Sequence, residues 1–205
     1  MSSDQISPRR LAGPPGVVRI ALVAAGALLL AGDQVRIEIV VTGPVQVEII
    51  ETAGTVAYAM RGARARWDVD IQLTDGANLR WYSEPFVVSA DAAVTRSTVV
   101  RMEHGCTAEL RESLVLGRHG EVGGALQTMT RAWIGDHLTL AEDLDLSPDA
   151  RGGWAVMHTA RCLDTVTALG FRLPEDTHTV QLEGCGSIAR RLVHEQHESD
   201  LRQVH

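Results

Sequence analysis

The chain of 205 residues contains no lysine; all 19 of its basic side chains are arginine. Chemistry that needs a primary amine, such as a Schiff base or a phosphate-loop lysine, is thereby excluded. Aromatic residues make up only 4% of the sequence. The cysteines, Cys106, Cys162 and Cys185, are three, far apart and without a Cys-x-x-Cys pair. That is neither a disulfide framework nor a structural zinc signature, and it fits a reducing cytoplasm. A positive surplus is missing too: the net charge is −7 and the isoelectric point near 5.6. Nucleic acid and anionic lipid are therefore poor partners. No Gly-x-Ser-x-Gly, Gly-x-x-x-x-Gly-Lys or Gly-x-Gly-x-x-Gly occurs, so serine-hydrolase, phosphate-loop and dinucleotide signatures are absent. The apolar run Val17 to Ala31 is shorter than the roughly 20 residues of a bilayer span. It follows Arg9-Arg10 in the manner of an export signal, but Arg19 lies inside it and Gly13-Pro14-Pro15-Gly16 separates it from the arginines; a pair of buried strands is the simpler reading.

What is present points to β structure. There are 22 Val, 9 Ile and 15 Thr, residues that suit a pleated, half-buried surface. Residues 1–16 are polar, with Ser, Pro and Gly, and read as a flexible tail ahead of a single domain over 17–205. Val35 to Ile39 and Val45 to Ile49 alternate with period two and meet at Thr42-Gly43-Pro44, which predicts a hairpin. Ala65, Trp67, Val69, Ile71 and Leu73 alternate with polar residues as far as Asp75-Gly76, a strong turn dipeptide. Turn signals recur every 10 to 15 residues, as expected of a many-stranded fold over about 17–150. Beyond Arg151, the spacing of Trp154, Met157, Cys162, Leu163, Val166 and Leu169 predicts a helix at about 153–170. Ser187 with Ile188, Leu192 and Val193 predicts a second at about 187–203. No internal repeat of fixed period is visible.

Candidate chemistry is sparse. His158 and Cys162 stand four apart and would share a face of the first predicted helix, where they suit a soft metal or, more simply, a surface histidine beside a buried thiol. His194 and His197, three apart, miss the zinc-protease spacing by one residue and suit a weak surface clamp or a solvated helix end. His104 and Cys106 share a turn and offer a thiol hydrolase its nucleophile and base, with no oxyanion loop evident. Asp33, Glu112, Glu121 and Glu142-Asp143 sit near turns, where carboxylates are either solvated or a loose divalent-metal path.

Five segments, in order, resemble the UreD-type urease accessory proteins, called UreH in some systems. Ala25-Gly26-Ala27-Leu28-Leu29-Leu30-Ala31-Gly32-Asp33 resembles the family's Gly-Asp turn. Glu51 to Tyr58 resembles its Thr-rich segment, with the family's lysine missing. Gly76 to Pro85 resembles its Gly-Ala-x-Leu stretch, with Arg80 where the family has Glu and Tyr82-Ser83 where it has Leu-Pro. Glu112-Ser113-Leu114-Val115-Leu116-Gly117-Arg118, with Glu121, resembles its Glu-x-x-x-x-Gly-Arg then Gly-Glu signature. Ser187 to Leu192 resembles its C-terminal helix start. The resemblance implies a mainly β, many-stranded two-layer, β-helix-like architecture of antiparallel and mixed sheets with two helices near the C-terminus. It also implies a non-enzymatic, cytoplasmic scaffold that binds apo-urease, UreF and UreG and assists nickel delivery, with nickel in transit, no tightly bound cofactor, and no nucleic acid or membrane partner. Asp33, Glu112 and Glu121 are its candidate nickel path; Arg118, Ile188, Arg191 and Leu192 its candidate partner contacts. A secreted β-sandwich binding module and the Cys106 thiol hydrolase are the competing classes.

Overall fold

The structure is a computed structural model, and it describes residues 5–201. The first four residues of the expected tail and the last two of the second expected helix lie outside the described residues. Two sheets face one another, and the chain passes back and forth between them. On one side β2 (Val17–Ala24), β4 (Gln46–Glu51), β7 (Asn78–Tyr82) and the first half of β10 (Thr107–Leu116) run parallel. On the other, β3 (Gln34–Thr42), β6 (Ala65–Thr74), β9 (Ala93–Met102) and β11 (Ala125–Ile134) do the same. The short β5 (Thr55–Ala57) and β8 (Phe86–Val88) extend the first sheet beside the end of β10. The expected two-layer, β-helix-like architecture is present, and it is built by coiling.

Register shows the coil. Gln34, Arg66, Thr95 and Gln127 stand side by side, so successive turns advance by 32, 29 and 32 residues. The turn dipeptides mark corners where the chain changes sheet. Thr42-Gly43-Pro44 therefore joins β3 to β4 across the two layers, and the expected hairpin is absent there. Antiparallel strands close both ends. β1 (Ile6–Leu11) pairs with β2, β12 (His137–Asp145) with β11, and β13 (Cys162–Leu169), β15 (Gly186–Val193) and β14 (Thr179–Gln181) continue from β10. Part of the expected tail is thus an edge strand. Pro8 is tolerated there because an edge leaves one row of backbone donors unused.

The two expected helices are strands β13 and β15. Among the described residues the helical elements are one turn at Pro148–Arg151 and a 3₁₀ turn at Gln196–Glu198. The reason is burial on both faces. β13 has Leu163 and Leu169 toward the opposite sheet and Val166 and Ala168 toward a second small core with Leu173, Ala189 and Leu201. A doubly buried strand loses its alternation and mimics a helix.

Alternating charge locks the parallel register on the outer face of the first sheet. Arg19, Glu48, Arg80 and Glu109 occupy one row across four strands; Arg19 meets Glu48 at 2.7 Å and Arg80 meets Glu109 at 3.5 Å. A slip by one residue would break the row and turn the apolar set outward. The interior holds Ile71, Leu73, Leu79, Leu114 and Leu126, all at 1% exposure or less. Leu79→Ala is expected to cost about 2–5 kcal/mol in denaturant unfolding, and Val40→Ala, at an exposed site, under about 0.5 kcal/mol.

Candidate functional site

The inner surface changes character along the coil. In one sheet the inward row runs Ile37, Val69, Thr98, Thr130, Glu142. In the facing sheet, Leu22 stands beside Glu51, and further along Glu112, Thr165 and Arg190 stand side by side. Hydrocarbon gives way to hydroxyl, then to charge. Between the polar ends lies a cavity of about 70 Å³ bordered by Arg96, Thr98, Glu112, Thr130, Glu142 and Arg190, among others, roomy enough for water and furnished with polar partners for it.

Two ion pairs line this space. Arg96 Nη2 lies 2.5 Å from Glu112 Oε1, and Arg190 Nη2 lies 2.8 Å from Glu142 Oε2. Arg190 Nε also donates to Thr165 Oγ1 at 3.3 Å. The Arg96 guanidinium is 4.3 Å from the Phe86 ring centre and 5.8 Å from that of Trp67, a cation–π arrangement that orients it. Nearer the hydrocarbon end, Glu51 accepts hydrogen bonds from Trp81 Nε1 and the Glu84 backbone N–H, both at 3.1 Å. Burial pushes the Glu51 carboxyl above its ordinary value, against the lowering charge of Arg96 and these hydrogen bonds.

Of the three expected nickel-path residues, Glu112 faces the cavity. Asp33 lies in a surface turn, where it accepts a 2.7 Å hydrogen bond from the Leu30 backbone N–H. Glu121 folds over its own loop: Arg118 Nε donates to it at 2.9 Å, and the backbone N–H groups of Arg118 and Ala90 at 3.1 and 3.2 Å. The Gly-Arg and Gly-Glu motif therefore shapes a corner. A Cβ on Gly117 would come within 2.6 Å of Glu121 O. Ile188 turns inward to the cavity, Arg191 pairs with Asp200 at 3.0 Å, and Leu192 is exposed.

The other candidates fare as follows. Cys106 is buried at 1% exposure while His104 is exposed, so the thiol is closed to a substrate. Cys162 lies in β13, and burial pushes its thiol up to about 11; it donates to the His194 carbonyl at 3.6 Å and is no thiolate ligand at neutral pH. His194 precedes, and His197 lies within, the capping box formed by Glu195 and Glu198. Among the described residues no group of three His, Cys, Asp or Glu side chains is arranged to hold a metal ion. Among the same residues no helix is long and apolar enough to cross a membrane.

Glu51 and Arg96 were not singled out by sequence reasoning, Arg190 was quoted only within the expected C-terminal helix, and Glu142 was noted only as a turn carboxylate. The available signal was threonine and charge at inward positions of alternating strands, Thr98 and Thr130 above all.

A profile described as "UreD urease accessory protein" matches residues 5–202. The chain belongs to the UreD family. It is 40% identical over 190 residues to Urease accessory protein UreD 1 of Streptomyces griseus, a match that covers 91% of this chain and 74% of that protein. It is 38% identical over 183 residues to the Frankia alni Urease accessory protein UreD, covering 88% and 59%. The Streptomyces coelicolor UreD is 31% identical over 150 residues, covering 73% and 59%. The chain thus spans about three fifths of the length of the latter two relatives. A UreD-family chain is an accessory protein of urease rather than an enzyme.

The ring of donors around Glu121 holds its carboxyl down to about 2, from an ordinary value of 4.5, with the Arg118 side chain the largest cause. A depressed value gives stability above pH 4.5 that is lost as pH falls through the folded value. Comparing Glu121→Gln with the wild type in thermal unfolding should give a deficit constant near neutrality that shrinks between pH 4.5 and about 2.

Proposed function

We propose that this UreD-family chain acts in the cytoplasm as a urease maturation scaffold, binding apo-urease with UreF and UreG, and that a nickel ion passes along its charged interior. Membership of a family described as urease accessory proteins supports the maturation role. The observation that supports nickel passage is the inward change from Ile37 and Val69 to Thr98, Thr130 and Glu142, opposite Glu112 and Arg190. Arg96 is buried and Glu112, Glu142 and Arg190 are half-buried, and charge drawn out of water costs desolvation energy that hydrocarbon of equal volume avoids.

Hard and borderline divalent cations bind carboxylate, hydroxyl and water oxygens. Affinity falls when donors are few and their geometry is incomplete, which suits an ion handed onward. In this reading Glu112 carries the path, while Asp33 and Glu121 shape the corners around it. Leu192 and the adjoining Arg191 form the outer contact for UreF. Because β15 is paired on both sides, a point substitution tests that contact more cleanly than a deletion of residues 187–205.

When urease is made alongside the chain, Glu112→Gln should lower its nickel content several-fold while co-purification with UreF persists. Unchanged nickel content would remove Glu112 from the path. Leu192→Glu should weaken UreF co-purification without lowering the melting temperature; undiminished capture would place the contact elsewhere.

A further inference from the structure

The charges of the interior stripe are nearly balanced. Two carboxylates, Glu112 and Glu142, pair there with two guanidiniums, Arg96 and Arg190, and Glu51 lines a separate recess beside Trp67. A path that served only to attract a cation would not contain arginine. Arg96 is the more costly of the two: it is 7% exposed, and its Nε has no hydrogen-bond partner among the described residues. A buried, unsatisfied charged donor is destabilising, and the rings of Trp67 and Phe86, 5.6 Å apart and edge to face, would pack equally against hydrocarbon.

The position of Arg96 gives the reason. Its guanidinium touches Glu112 and lies 5.8 Å from the Trp67 ring centre, and that same ring borders the recess that Glu51 lines. The Phe86 ring beneath it offers a face along which a flat cation keeps its attraction while it shifts. Lysine, a compact and strongly hydrated point charge, lacks this property.

We infer that Arg96 is a built-in counter-cation of the interior path: it neutralises Glu112 in the absence of metal and yields toward Glu51 as a divalent transition-metal cation passes. The ion then never meets an uncompensated pair of carboxylates, and the interior conducts instead of trapping. This inference rests on the passage reading above and adds the device that keeps binding weak. No bond is made or broken; one cation replaces another beside Glu112.

The test is titration of the purified 205-residue chain with nickel chloride, followed by calorimetry. Arg96→Gln removes the counter-charge and should raise nickel affinity at least about tenfold, since a unit charge a few ångströms away in a partly buried site acts strongly. Adding Glu112→Gln should return the affinity to the wild-type level, and Arg96→Lys should retain it. Arg96→Met, which preserves packing on Phe86 and Trp67, carries the same expectation as Arg96→Gln should that variant fold poorly. No gain in affinity in a cooperatively folded Arg96→Gln or Arg96→Met would overturn the inference. The passage reading is judged separately, by the nickel content of urease made alongside each variant. If Arg96→Gln traps nickel yet neither it nor Glu112→Gln changes that content, the counter-cation stands and passage falls. If Glu112→Gln lowers the content while Arg96→Gln gains no affinity, passage stands and the counter-cation falls.

Discussion

In-register stacking of parallel strands is the constraint on which the rest depends. Once Arg66 is fixed beside Gln34 and Thr95 beside Arg66, every second residue of every coil is committed to the interior. A single substitution pattern repeated along the coil then paints a continuous stripe. Here the stripe is hydrocarbon at the first coils and hydroxyl and charge at the later ones. The outer row of Arg19, Glu48, Arg80 and Glu109 holds the register from the opposite face, so the architecture that makes the fold stable also places Glu112 opposite Arg96.

The stability of the coil and its polar interior draw on different parts of the molecule. Leu73, Leu79, Val88 and Leu126, all at 0% exposure, supply close packing. Glu112, Glu142, Arg96 and Arg190 instead hold charge partly out of water, where hydrocarbon would cost less desolvation energy. The corner loops complete the division of labour. Glu121 gathers backbone donors from two turns, and Gly117, Gly123 and Gly124 let successive turns approach too closely for any side chain. The Gly-Arg and Gly-Glu part of the family-like motif thus builds a corner, while the motif's first residue, Glu112, faces the cavity.

Much of the fold was legible because half-buried strands alternate. Val35 to Ile39 and Ala65 to Leu73 read correctly as strands, since one face of each is solvated. The failures share a physical origin. Leu163, Val166 and Leu169 looked helical because β13 is buried on both faces. Ile188, Leu192 and Val193 did so because the inner face of β15 carries Arg190, paired with Glu142, where an apolar residue would have shown the strand period. The coil itself was invisible because its advance alternates between 29 and 32 residues and its rows conserve inward direction, not residue type. Ile6 to Leu11 read as tail because Pro8 and two arginines disfavour a strand that only pairing with β2 supports. The candidate site was legible only in part: Glu112 and Glu142 were noted as carboxylates near turns and Glu112 again through the family resemblance, while the partner Arg96 was not.

The central claim, that this chain enables nickel to reach urease, is tested most directly by the nickel-to-protein ratio of urease purified from cells that lack the chain and from cells that regain it. The account predicts nickel-poor, inactive urease without the chain and full occupancy when the wild type is restored. Equal nickel occupancy in both would contradict it.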